Sequence, residues 1–116
     1  MFWIGYNYDM SDLAQKKCVP CEGGVDPLSP AEAHRYLGDV LGWQLIDDKK
    51  IVKVFMFHYF TEAMEFVNKV ATLAESEGHH PNIAINYNKV ILTLYTHAIN
   101  GLHENDFILA AKINAL

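Results

Sequence analysis

From about Thr61 to Gly78 apolar residues recur at spacings of three and four, and then the pattern stops. Ala63, Phe66, Val67, Val70 and Ala74 form the stripe, which fits one face of a helix packed on a sheet. Glu62, Glu65, Lys69 and Glu75 lie mostly off it. Gly78 suits the left-handed position just past a helix, and Pro81 forbids continuation. This central helix divides the chain into two stretches, each carrying a pair of short strand-like runs.

In the first pair, Trp43 to Ile46 and Ile51 to Phe57 read as strands joined at Asp47-Asp48-Lys49-Lys50. By parity Ile51, Lys53, Phe55 and Phe57 share one face, while Val52, Val54 and Met56 share the other, the cleaner apolar one. In the second pair, Ile83 to Tyr87 and Val90 to Thr96 form a hairpin with Asn88-Lys89 as its two-residue loop. Ser29-Pro30-Ala31-Glu32 fits a capping box with Pro at the first helical position. That helix should run to about Val40, burying Ala33, Tyr36, Leu37 and Val40, and Gly42 ends it. A last helix, about Glu104 to Asn114, turns Phe107, Ile108, Leu109 and Ala111 inward.

The predicted order is therefore α-β-β-α-β-β-α. It describes an α+β fold, a four-stranded antiparallel sheet with three helices packed on one face. Residues 29–116 make one domain. Residues 1–28, with Pro20, Gly23, Gly24 and Pro27 and little periodicity, read as an N-terminal arm or loop. Met10-Ser11-Asp12 offers a second translation start, so residues 1–9 need not belong to the native chain. Trp43 anchors a strand start, and Phe55, Phe57 and Tyr59 serve packing or association.

The chain has 116 residues, enough for one domain with a real core. Its net charge of −5 argues against sequence-independent nucleic-acid binding, where Lys and Arg must neutralise phosphates. No apolar run approaches the ~20 residues that span a bilayer. The 2 cysteines cannot build a disulfide framework, and the start lacks a basic segment followed by a continuous apolar one. A cytoplasmic protein with small-molecule and protein partners is the expectation. Cys18-x-x-Cys21 has redox or half-zinc spacing, but no βαβ context or second Cys pair follows, so it reads as part of a non-redox arm.

The 6 histidines carry the chemistry. A loop at Asn88-Lys89 pairs Tyr87 with Val90 and, further along, His80 with His97. Opposed residues of an antiparallel pair have Cβ atoms about 4.5–5.5 Å apart. His79 stands next door, at the corner between helix and strand. Imidazoles titrate near neutrality, so a group of them can give and take protons within one turnover. A solvated polar sheet end is the alternative reading. A zinc site is weaker, because adjacent residues such as His79 and His80 seldom point the same way in extended chain and no HExxH pattern exists.

Glu75, His79-His80-Pro81, Tyr87, His97 and Asp106 stand at spacings that resemble the pterin-4a-carbinolamine dehydratase family. The likeness is unbroken from Glu75 to Asp106. It extends more loosely from Cys18 to Asn114, through Cys18-Val19-Pro20-Cys21-Glu22-Gly23-Gly24, Gly42-Trp43, Phe66-Val67-Asn68 and the Gly101-Leu102 to Asp106-Phe107 turn. The resemblance implies a hydro-lyase that dehydrates 4a-hydroxytetrahydrobiopterin to a quinonoid dihydropterin plus water, recycling the cofactor of aromatic amino-acid hydroxylases. It implies His79 and His80 as acids toward the leaving hydroxyl, His97 as the base, and no metal or organic cofactor, the pterin being the substrate. Gly78, Pro81, Tyr95 and Thr96 would help form the pocket, and Glu75 would orient a histidine or a loop amide. Asp106 is divided between site support and a helix cap, since His103-Glu104-Asn105-Asp106 occupies a capping box. His103 stands where Ser or Thr is frequent in the family, so a weaker cap is expected. Gly78 and Asn105 replace residues that are charged in some members. The resemblance also implies a homodimer or homotetramer, a functional link to a hydroxylase, and, in some members, service as a dimerisation cofactor. A non-catalytic module that stabilises a partner protein is the alternative.

Overall fold

The computed structural model describes residues 8–116. Its elements are α1 (Tyr8–Gln15), α2 (Pro30–Leu37), β1 (Gln44–Ile46), β2 (Lys50–Met56), α3 (Phe60–Glu77), β3 (Asn82–Asn86), β4 (Lys89–Leu94), a 3-10 turn (His97–Ile99) and α4 (Glu104–Asn114). The strands form one antiparallel sheet in the order β1-β2-β4-β3. This is the α+β architecture the sequence predicts, with one addition. The stretch read as an arm holds α1, which packs on α4 and sends Leu13 into the core. The proposed alternative start at Met10 falls inside α1, and most of residues 1–9 lie outside the described residues.

The capping box of α2 forms as expected. Glu32 N–H donates to Ser29 Oγ (3.2 Å), and the Glu32 carboxylate accepts from Ser29 N–H (2.8 Å). Ala63, Val67, Val70 and Ala74 of α3 are buried, as their spacing requires. Helix α4 is the most enclosed element. Phe107, Ile108, Leu109, Ala110 and Ala111 are all buried, because α1 covers one side of α4 while α2 and α3 meet it on others.

Two expectations need correction. The core face of β2 is the one carrying Ile51 and Phe55, and the opposite face leaves Val54 and Met56 exposed. Lys53 makes the core face look the less apolar, but it does not oppose burial. Its ammonium donates to the Leu41 carbonyl (3.0 Å) and Asn114 Oδ1 (2.8 Å), and its stem lets it lie 4.9 Å from the Phe55 ring centroid. Burial shifts this ammonium's pKa downward. The second correction is one of register. The β3–β4 loop is Tyr87-Asn88, since Asn86 pairs with Lys89 and Ile85 with Val90. Tyr87 takes the positive φ of 54° that asparagine would more readily adopt. Asn88 is held elsewhere: its side-chain amide donates to Phe57 O (2.8 Å), and its own carbonyl accepts from Phe57 N–H (2.9 Å). This tertiary anchor overrides the local preference. His80 and His97 are consequently not ladder partners, because pairing ends at Asn82 and Thr93.

Candidate active site

Beyond Asn82 and Thr93 the two strands part, and the gap between them becomes a cavity. One wall begins at the end of α3. Gly78 adopts φ 67°, its N–H bonds to Glu75 O (3.2 Å), and His79 N–H bonds to Ala74 O (3.2 Å). This Schellman pattern needs a left-handed residue at Gly78 and turns the chain sharply into His79-His80-Pro81. The other wall begins after β4. Thr96 and Gly101 exchange backbone hydrogen bonds (2.8 and 3.4 Å), which closes a tight loop carrying His97 on the 3-10 turn. The Tyr95 and His97 rings lie 4.2 Å apart between centroids.

The cavity, about 400 Å³, is lined by Gly78, His79, His80, Pro81, Tyr95, Thr96 and His97, and also by Cys21, Asn82 and Ala98. The volume falls within the ~300–1,000 Å³ usual for small-molecule pockets. The three histidines thus share one cavity although the register is not the one predicted. Glu75 and Asp106 do not line it but stand one hydrogen bond behind. Glu75 Oε1 lies 2.8 Å from His80 Nε2, an exposed pair of the kind that contributes little to stability. Asp106 is wholly buried. Its Oδ1 lies 2.6 Å from His79 Nε2, and its Oδ2 accepts from Thr96 Oγ1 (2.9 Å) and His103 N–H (3.0 Å). The spacing left cap and site support as alternatives; the same carboxylate both caps α4 and bonds His79 at the cavity wall. A carboxylate can only accept, so His79 presents Nε2–H to it, and in the neutral ring Nδ1 is the nitrogen left with a lone pair.

The cap of α4 is completed by an imidazole. Asn105 N–H donates to His103 Nδ1 (2.9 Å), so histidine replaces the usual hydroxyl. Among the described residues no three His, Cys, Asp or Glu are grouped to hold a metal.

Sequence reasoning missed Cys21, Asn82, Ala98 and the role of Asn105. Residues 18–24 were legible as a non-redox arm that shares in the family likeness, and only the fold places Cys21 beside the histidines. Asn105 is buried with both ends of its amide used: Oδ1 accepts from Val19 N–H (3.0 Å), and Nδ2 donates to Val19 O (2.6 Å). Cys18 N–H donates to Glu77 Oε1 (2.9 Å), and Glu77 pairs with Lys112 (2.9 Å). Burial would raise the Glu77 pKa, but the Cys18 amide and the Lys112 ammonium outweigh it and hold the carboxyl below its usual range. The Cys18 thiol is pushed up to about 12 by burial and by the neighbouring Glu77 charge.

Residues 26–116 match the profile of the family described as pterin 4 alpha carbinolamine dehydratase. This chain belongs to that family. Relatives named for the same dehydratase include one from Rubrobacter xylanophilus, 45% identical over 92% of this chain and 100% of its own length. Another, from Methylococcus capsulatus, is 47% identical over 93% of this chain and 96% of its own. A crystal structure of a transcriptional coactivator/pterin dehydratase from Brucella melitensis superposes with a TM-score of 0.73 at 37% identity, covering 78% of this chain and 97% of that one. A pterin dehydratase-like protein described as a RuBisCO assembly factor of the alpha-carboxysome superposes with a TM-score of 0.53 at 27% identity, covering 63% of this chain and 83% of that one.

Proposed function

We propose that this dehydratase-family chain catalyses loss of water from 4a-hydroxytetrahydrobiopterin. The observation that carries the reading is the convergence of His79, His80 and His97 on one cavity. Dehydration requires a proton for the leaving hydroxyl and removal of the proton on N5. The C4a–O bond breaks, a C4a=N5 bond forms, and water departs with no change of oxidation state. Histidines suit both transfers near neutral pH. His79 and His80 supply the acid side, His79 held by Asp106, and His97 on the opposite wall takes the N5 proton. The cavity supplies orientation, and the reaction as written needs no metal or organic cofactor.

The expected setting is the cytoplasm, in recycling of the pterin cofactor of an aromatic amino-acid hydroxylase. The described residues include no helix long and apolar enough to cross a membrane. A homodimer or homotetramer is part of the same reading. Strand β3 is a sheet edge exposed along its whole length, which favours pairing with another subunit.

The test is spectrophotometric dehydration of the carbinolamine by chelator-treated protein. Catalysis above the spontaneous rate is expected, with a loss on the order of 10²-fold or more in the His79→Ala, His97→Ala double variant. Full activity in that variant would sink the assignment of roles.

A second reading, a module that stabilises a partner protein, is favoured by the descriptions of the two solved relatives as a coactivator and as an assembly factor. Undiminished partner function in a triple-histidine variant, together with no dehydration by the native chain, would favour it.

A further inference from the structure

The cavity has a wall that belongs to none of the strands or helices bearing its histidines. The segment from Cys18 to Leu28 crosses beside it, fastened at both ends. At one end Cys18 N–H is bonded to Glu77 at the end of α3, and Val19 is bonded through both its backbone groups to the Asn105 amide. At the other end Leu28 N–H donates to Leu102 O (2.8 Å), and Pro27 lies so close to Gly101 that a Cβ there would fall 2.7 Å from Pro27 Cβ. Between the fastenings Cys21 faces the cavity. Gly23, at φ 104°, runs against Ala98, where an added Cβ would sit 3.5 Å from the carbonyl oxygen. The strap therefore touches the turn that carries His97, and it hangs from elements that place His79.

We propose that the strap Cys18–Gly24 is a wall of the substrate pocket that contacts the bound bicyclic ring through Cys21, and that Asn105 is the positioning residue that holds it there. The inference rests on the pterin reading above. It gives Asn105 a task separate from that of its neighbour. Asp106 sets the imidazole that handles protons, whereas Asn105, 2% exposed, imitates a strand partner for Val19 and sets the width of the pocket. A neutral amide fits this role better than a charged side chain, because it must offer one acceptor and one donor to a single backbone unit in a buried place.

The strap predicts an asymmetry between its two cysteines. Cys18 Sγ is turned to the Asn105 carbonyl (3.6 Å) and its thiol is held protonated, while Cys21 faces the cavity. Iodoacetamide labelling of the full chain at pH 7.5, read by peptide mass spectrometry, should modify Cys21 and spare Cys18. Biopterin, a stable oxidised pterin, at about ten times its Kd should slow Cys21 labelling by about tenfold, the limit set by occupancy. The second arm is kinetic. Asn105→Ala should raise KM by about tenfold with kcat changed by less than about threefold, since binding rather than chemistry loses a wall. A merely structural Asn105 would lower the active fraction and leave KM alone. If the native chain dehydrates the carbinolamine but biopterin gives no protection of Cys21, the strap proposal is overturned and the pterin reading stands. If the chain neither dehydrates the carbinolamine nor binds biopterin, both fall. The labelling arm uses the native chain, so it decides the contact at Cys21 even where Asn105→Ala does not fold.

Discussion

Asp106 shows how much one buried side chain can be asked to do. Its two oxygens accept from an imidazole, a hydroxyl and a backbone amide, and none of these can be replaced by water, because the carboxylate is fully enclosed. Asp106→Asn keeps the shape but turns one acceptor oxygen into a donor. An amide nitrogen in place of Oδ1 faces the His79 Nε2–H, and one in place of Oδ2 faces both the Thr96 hydroxyl and the His103 N–H. The variant should lose about 2–3 kcal/mol of stability, the scale of charge-assisted bonds in a buried place, and on the order of 10²-fold in dehydration rate. Thermal melting and the carbinolamine assay check the two losses independently. Cys18 gives a second prediction, in the alkaline range. Its thiol is pushed up to about 12 in the folded chain from an ordinary value of 9.0. As pH rises above 9.0 the unfolded chain releases this proton while the folded chain keeps it, so stability falls with pH until the folded thiol also ionises. Denaturant titrations between pH 8 and 10.5 should show a steeper decline for the native chain than for Cys18→Ser.

At the scale of elements, α4 depends on an unusual first residue. His103 Nδ1 does the work of a serine hydroxyl on the Asn105 amide. His103→Ala should cost about 1 kcal/mol, and His103→Ser should restore the loss, both read from urea melts. This cap was legible in the spacing of His103 and Asp106. So were the three helices and both hairpins, because caps, periods and turn residues are local signals. The register of the second hairpin was not legible. It depends on what Asn88 bonds to across the sheet, at Phe57, and nothing within the hairpin's own sequence reports that. The core face of β2 was misread for a similar reason, since parity shows which residues share a face but not that a lysine's head can leave the core at Leu41 and Asn114. The candidate site survived the register error because its histidines stand past the end of the ladder, where the loop closed by Thr96 and Gly101 determines their placement rather than strand pairing. Asp106 was legible as a residue with two competing tasks; Asn105 was noticed only as a departure from the family.

For the molecule as a whole, the open question posed by the fold is its edge. Ile83 and Ile85 sit opposite Leu92 and Val90, on the core side of the sheet, yet each remains more than a third exposed. An edge strand with apolar residues on its protected side invites another strand. Light scattering after size exclusion should report a dimer or tetramer. Ile85→Lys, which puts a charge in that row, should shift it toward monomer while leaving the far-ultraviolet spectrum unchanged. Association was expected from the aromatic residues Phe55, Phe57 and Tyr59 rather than from β3, and α1 was not expected at all, because a helix of 8 residues has too few turns to show a clear period.

The family profile begins at residue 26, whereas the physical unit begins earlier. Leu13 is 5% exposed beneath α1, and the amide of Asn105 finds its partner only at Val19. A protein trimmed to the profile would carry every histidine, the entire sheet and the full α4. It would also carry an uncapped hydrophobic flank, and a buried amide with nothing to answer it. Where a lineage can be recognised and where a molecule can stand by itself are, on this chain, two different places.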